Sequence, residues 1–248
     1  MRNRSVKIRS LKLSVTNCFL VETDDQRILV DTGYEYEWEL FCKRLDETNT
    51  GLSEISHLIL THHHNDHSGM LNKIVSSNKD IRLVMSHHAA DLLRKGRHYH
   101  LPGSGYVNRR VNLLLSLKGR FDKRWTHTFP PYQVREKDIL VEGETALSDI
   151  GIAMDGKIIE TPGHSIDSIS LVFGDGQCIV GDAAANFLQW AGTRYCIISI
   201  DNLHDYYASW EKLIAENGQV IHPAHGKEFR IEELKRNLGK HTRLVPFA

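Results

Sequence analysis

Apolar residues recur with a period of two through the start of the chain. KIRSLKLSV, NCFLVET and QRILVDTG each alternate or run apolar, with short turn signals between them, and predict three strands. The period then lengthens. Within 35–47 (EYEWELFCKRLDE), Trp38, Phe41, Cys42 and Leu45 fall at helical spacing. HLILT at 57–61 reads as a short buried strand running straight into THHHNDHSG, and 67–78 predicts a short helix. RLVMS is a further strand and HHAADLLRK a further helix. Short strands return in KDILVE, GIAMDGKIIET, SISLVFG and QCIVGD, followed by a helix over 204–216. QVIHPAHG reads as a strand ending in a loop, and a helix over about 230–240 closes the chain. Two strand-rich halves, each ending in helices, predict a layered α/β fold. The strands come in hairpin runs, which argues against a doubly wound parallel sheet.

Residues 94–135 break this pattern. They hold PGSG, the apolar run VNLLLSL and the aromatics Tyr99, Tyr106, Phe121, Trp125 and Phe129. They also hold ten Lys or Arg residues against one acid, Asp122, whereas the whole chain balances 31 against 31. The segment reads as a basic lid or insertion within a single domain spanning 1–248. Its charge would steer an anionic, partly apolar substrate toward whatever it covers. An ordinary solvated surface, and a homodimer contact through VNLLLSL, are the other readings of the same residues.

Composition narrows the class. The chain of 248 residues is 41% hydrophobic with 18 glycines, the ordinary content of a globular protein, so disorder over most of its length is excluded. No apolar run approaches the roughly 20 residues that span a bilayer, and no apolar stretch follows the basic MRNRSVKIRS as in a secretory signal. The four cysteines lie far apart, which argues against a disulfide framework and against a thiolate zinc site. A cytoplasmic location is the expectation. The unusual count is 15 histidines, several of them clustered.

The cluster is Thr61-His62-His63-His64-Asn65-Asp66-His67. His62 and His64 are two apart just past a strand, so on extended backbone both imidazoles point to one side and His63 to the other. Asp66 and His67 follow at the turn into a helix and reach a neighbouring position. Crowded histidines lose affinity for protons, and neutral imidazole is the form that binds a metal. Three single residues beside glycine join them: His164 in TPGHS, Asp182 in IVGD and His225 in HPAHG. Five histidines and two aspartates suffice for two divalent ions with open positions. Nitrogen and oxygen donors without sulfur suit Zn²⁺, and also Fe or Mn. Simpler roles fit the other histidines: packing for His63, capping or core packing for His87 and His88, lid surface for His98, His100 and His127, a strand position for His222, and helix surface for His204 and His241.

These motifs resemble the metallo-β-lactamase fold hydrolases, the superfamily of glyoxalase II, lactonases and phosphodiesterases. Asp31-Thr32-Gly33, THHHNDH, TPGHS, GD and PAHG stand in the family's order over nearly the whole chain, with 94–135 outside the likeness. The resemblance implies a four-layer αββα sandwich. It implies one metal site of His62, His64 and His164, a second of Asp66, His67 and His225, and Asp182 bridging them. Asp31 matches the carboxylate that orients a ligand histidine. A bridging water with its pKa lowered from 15.7 to about 7 would supply hydroxide at neutral pH, and Asp66 would carry a proton to the leaving group. Some lactonases of the family use a tyrosine soon after the bridging aspartate. Here Ala185 stands three residues after Asp182 and Tyr195 much further on, so that role is not carried over.

The expected activity is hydrolysis of a small ester, thioester or lactone. Only 23 residues follow His225, less than the helical domain that glyoxalase II carries there. His64, at the third position of the HxHxDH form, argues against the flavodiiron enzymes, which carry Glu there. A phosphodiesterase or nuclease clamping nucleic acid with the basic lid is the second reading. A metal-bearing binding or sensor module with little turnover is the third.

Overall fold

The computed structural model describes residues 6–23, 25–121 and 127–247. Of the basic segment, Asp122, Lys123, Arg124 and Trp125 lie outside the described residues.

Two six-stranded sheets carry the fold. The first follows the order β1 (Lys7–Lys12), β2 (Asn17–Glu22), β3 (Arg27–Val30), β4 (Ile55–Ile59), β5 (Arg82–Ser86) and β7 (Ile139–Val141). β1, β2 and β3 pair antiparallel, as their hairpin spacing predicts. From β3 onward the pairing is parallel, which corrects the expectation of hairpin runs. The reason is local. Helices α1 (Trp38–Asp46), α2 (Asn65–Ser68), α3 (Leu71–Ser77) and α4 (Ala89–Lys95) fill the connections, and parallel neighbours need crossovers of that length.

The second sheet has the order β14 (Phe229–Arg230), β13 (Val220–His222), β11 (Gln177–Ile179), β10 (Ile169–Phe173), β9 (Gly156–Glu160) and β8 (Thr145–Ala146). It is antiparallel except where α6 (Leu203–Ala215) carries the chain over to the parallel pair β11–β13. A three-stranded patch of β12 (Ser199–Ile200), β6 (Gly105–Tyr106) and β15 (Val245–Pro246) ties the basic segment to the end of the described chain. The last helix, α7 (Glu232–Asn237), is shorter than its pattern suggests.

Side-chain alternation builds the layers. Phe19, Val21, Ile28, Val30, Ile59 and Val84 of the first sheet meet Ile158, Ile169, Leu171, Phe173 and Ile179 of the second between the sheets. The alternate residues Leu20, Leu29, Leu58 and Leu83 turn outward onto Phe41, Leu45, Ile74 and Leu93 of the helices. On the far side Val172, Cys178 and Val180 pack under Tyr206, Trp210, Leu213 and Leu234. Helix, sheet, sheet and helix thus make the expected αββα sandwich. Within 94–135 the apolar run forms α5 (Arg109–Phe121), whose Val111 and Leu115 are buried in the cluster of Tyr206 and Trp210, while Leu113 and Leu117 are exposed. Among the described residues no helix is long and apolar enough to cross a membrane.

Candidate metal centre

The seven ligand candidates all lie just past the carboxyl ends of strands, where loops of both sheets meet on one edge. β4 delivers His62 and His64, α2 carries Asp66 and His67, and the loops after β9, β11 and β13 bring His164, Asp182 and His225. Six of the seven are buried, and Asp66 is partly exposed.

Their donor atoms converge as two overlapping groups. His164 Nε2 lies 3.1 Å from His62 Nε2 and 2.9 Å from His64 Nδ1. His225 Nε2 lies 3.2 Å from Asp66 Oδ2, and His67 Nε2 lies 3.7 Å from the same oxygen. Asp182 stands between the groups: Oδ2 is 3.3 Å from His164 Nε2, and Oδ1 is 3.3 Å from His225 Nε2 and 3.5 Å from His67 Nε2.

Three of the imidazoles are aimed from behind. His164 Nδ1–H donates to the Ser199 carbonyl and His225 Nδ1–H to the Val15 carbonyl, both at 2.8 Å. His67 Nδ1–H donates to Asp31 Oδ2 at 2.8 Å, and Thr61 donates to the same carboxylate from its backbone and its hydroxyl. These partners leave Nε2 as the lone-pair nitrogen facing inward. α6 props the Asp182 loop. Tyr206 Oη–H donates to the Asp182 carbonyl at 3.3 Å, and Trp210 Nε1–H to the Ala183 carbonyl at 2.6 Å. Gly163 has φ of +128°, and a Cβ there would sit 2.3 Å from Tyr206 Cα, so the TPGHS turn needs its glycine.

The donor set fits a pair of divalent cations. Among the described residues His67 Nε2 and Asp182 Oδ1 are buried without a hydrogen-bond partner, and two imidazole nitrogens crowd against His164 Nε2. Such orphans are costly unless something binds them. The ionisation balance says the same. Burial, reinforced by the neighbouring imidazoles, holds His62 and His64 far below the usual histidine range. Burial also disfavours charge on His67 and His225, but the carboxylates of Asp66 and Asp182 outweigh it, raising His67 strongly and His225 to about 10. Asp66 and Asp182 are pushed down in turn, against their burial, by those imidazoles. The two carboxylates thus favour positive charge beside them, which protons or a pair of cations can supply.

The pattern at 61–67 placed His63 on the opposite side, and there it lies: His63 Nδ1 pairs with Asp167 Oδ1 at 2.8 Å, both fully buried. Asp167 was missed, although it stands three residues after His164. Tyr195 packs on Phe229, with ring centroids 4.6 Å apart, and does not line the cavity over the centre. Three expectations need correction. His87 and His88 lie against each other with tilted rings, His87 partly buried and His88 exposed, with no side-chain cap bond, because α4 starts only at Ala89. His241 lies outside any helix, half-buried, with Nε2–H donating to the Thr193 carbonyl. His98, His100 and His127 are not plain surface residues: they line the cavity beside His64 and His164.

That cavity has a volume of about 650 Å³. His64, Asp66, His164, Asp182 and His225 form its floor, and its walls are mostly apolar: Val15, Leu114, Leu115, Phe187, Leu188, Trp190 and Ile198 among them. Beside it, Arg109, Arg110, Arg194 and Lys240 surround a second hollow of about 390 Å³ at the start of α5.

A family model described as the metallo-beta-lactamase superfamily matches residues 11–225. A "Beta-lactamase-like protein 2 homolog" of Caenorhabditis elegans is 26% identical over 225 residues, covering 86% of this chain and 57% of that protein. "Thioesterase pkgB" of Emericella nidulans is 36% identical over 83 residues, 33% of this chain and 23% of that protein. The chain therefore spans little more than half of the first relative and less of the second. An archaeal metallo-beta-lactamase superfamily protein from Sulfolobus tokodaii superposes with a TM-score of 0.62 at 16% identity, over 99% of this chain and 90% of that one, a likeness of fold.

Proposed function

The chain belongs to the metallo-beta-lactamase superfamily, and from that premise we propose that it is a metal-dependent hydrolase of thioesters or esters with a bulky apolar acyl group. His62, His64 and His164 would hold one divalent cation and Asp66, His67 and His225 another, with Asp182 within reach of both. Zinc is the metal that best suits this donor set, with Fe or Mn as alternatives. When bound, the cations supply a water of lowered pKa and a Lewis acid for the substrate's carbonyl oxygen.

The observation that carries this reading is the position of five of the seven side chains, His64, Asp66, His164, Asp182 and His225, at the floor of a mainly apolar cavity of about 650 Å³. The cavity suits the acyl part of the substrate, and the four neighbouring cations suit an anionic group on the leaving part. A thioester whose thiol arm carries a phosphate meets both demands, and a relative named as a thioesterase supports that bond type. The chain's own residues then have defined tasks. The apolar wall holds the acyl group and excludes water from the far side. Water adds to the acyl carbon, the carbon–sulfur bond breaks, and Asp66 carries the water's proton to the leaving sulfur. Asp66 is placed for this because it faces the cavity, with Oδ2 held by the Thr16 hydroxyl at 3.2 Å.

The four cations also favour a second reading, a phosphodiester substrate. One panel decides between them: acyl-coenzyme A and acyl-pantetheine thioesters, aryl esters, lactones, bis(p-nitrophenyl) phosphate and single-stranded RNA, offered to the zinc-loaded chain. Thioesters with long or aromatic acyl groups should be cleaved fastest. Cleavage of the phosphodiesters alone would replace this reading with the second, and no cleavage at all would leave a binding module. Asp66→Asn should lower kcat by about 10²-fold or more while metal content falls less. A parallel loss of both would reduce Asp66 to a ligand.

A further inference from the structure

Three imidazoles outside the seven-residue centre converge in the wall of the same cavity. His98 and His100 follow α4, and His127 comes from the far side of the basic segment. An isolated bridge between Arg97 and Thr128 lays the two stretches side by side. One ring nitrogen from each of His98, His100 and His127 falls within 4.8 Å of the others.

Two of the rings are oriented from behind. Asp201, buried and only 5% exposed, accepts His100 Nδ1–H at 3.1 Å and the Ser104 hydroxyl at 2.7 Å. His100 is thereby left with its lone pair on Nε2. The carboxylate–imidazole pair is the arrangement that fixes tautomer and aim in metal-binding histidines. His98 Nε2 lies 3.0 Å from both the backbone nitrogen and Oδ1 of Asn65. The Asn65 backbone N–H donates to Nε2, so Nδ1 carries the ring proton, and a cation bound at Nδ1 would displace it and leave Nε2–H to donate to Oδ1. His98 Nδ1 faces His127 Nδ1 at 3.2 Å. Two ring nitrogens so close must share either a proton or a cation. Tetrahedral zinc, with Zn–N near 2.0 Å, sets neighbouring nitrogens about 3.3 Å apart.

We propose that His98, His100 and His127 form a further divalent-cation site, distinct from the seven-residue centre and suited to Zn²⁺ with one position left open. Three imidazoles without sulfur or a direct carboxylate make a site for a transition ion and a poor one for Mg²⁺ or Ca²⁺. The ion joins the two ends of the segment that contains α5, and so clamps one wall of the cavity. It also fixes His98, whose ring stacks on His64 with centroids 4.0 Å apart.

The test counts zinc. The full chain and the variants His127→Ala, His100→Ala and Asp182→Ala are stripped with chelator, titrated with Zn²⁺ alone, and read by elemental analysis of the desalted protein together with a calorimetric isotherm. His127 is exposed, so its variant folds whatever becomes of His100. The expected result is that His127→Ala and His100→Ala each lose one equivalent relative to the unaltered chain. Asp182→Ala should lose zinc from the main centre and keep this step. The decrement is the reading, whatever number the main centre holds, so failure here and failure of the hydrolase reading are separable. Equal zinc content in the unaltered chain and the His127→Ala variant would overturn the proposal.

Discussion

Asp31 holds a backbone φ of 61°, a region that a non-glycine residue occupies at a cost of about 1–3 kcal/mol. What is gained in return is the aim of its carboxylate, which accepts from Thr61 and from His67 Nδ1–H. Asparagine tolerates the same backbone region, so Asp31→Asn isolates the charge from the fold. Metal affinity should fall about 10–100-fold, measured by competition with a chromophoric chelator. Unchanged affinity would show that Asp31 serves folding alone. Protonation gives a second expectation. His225 is raised to about 10 and His67 is raised as well, so both imidazoles carry protons at neutral pH when no cation is present. A cation must displace those protons. Zinc binding should therefore acidify a weakly buffered solution, and affinity should be greater at pH 8 than at pH 6. The convergence of the seven candidate side chains was legible because residue type and local spacing mark them. The His63 partner was not, since Asp167 lies 104 residues away and only the fold brings it near.

At the scale of elements, the site depends on how tightly α6 packs against the TPGHS turn. Gly163→Ala puts a Cβ within 2.3 Å of the Tyr206 backbone, where no side chain can swing aside. It should destabilise the fold by about 3 kcal/mol or more, a drop of roughly 6–12 °C in Tm for a chain of this size. It should also disturb His164, and differential scanning calorimetry paired with zinc content tests both. A Tm within a degree of the parent would mean that α6 is free to move. Long periodic stretches such as α1 and α6 were readable in advance. The parallel pairing of β3, β4 and β5 was not, because strand direction follows from the crossovers and not from alternation. β6, β12 and β15 span two residues each, too short to carry a period. α5 hid inside a segment whose charge drew more notice than its helical spacing of Val111 and Leu115.

Over the whole molecule, two sheets bury their shared faces and leave one edge at which loops from both halves meet. The candidate ligand set runs from His62 to His225, so an unfolded chain cannot present it, and a bound cation would stabilise the folded state by mass action. The layered architecture was legible from its strand and helix blocks. The cavity was not, because its wall joins α5, the 187–198 loop and Phe247, segments that meet only after folding. The most direct measurement of the metal centre is an anomalous difference map at the zinc edge from crystals of the zinc-loaded chain. Two peaks are predicted among His62, His64, Asp66, His67, His164, Asp182 and His225, with Asp182 touching both. An empty map at that edge, or density confined to positions remote from Asp182, would contradict it.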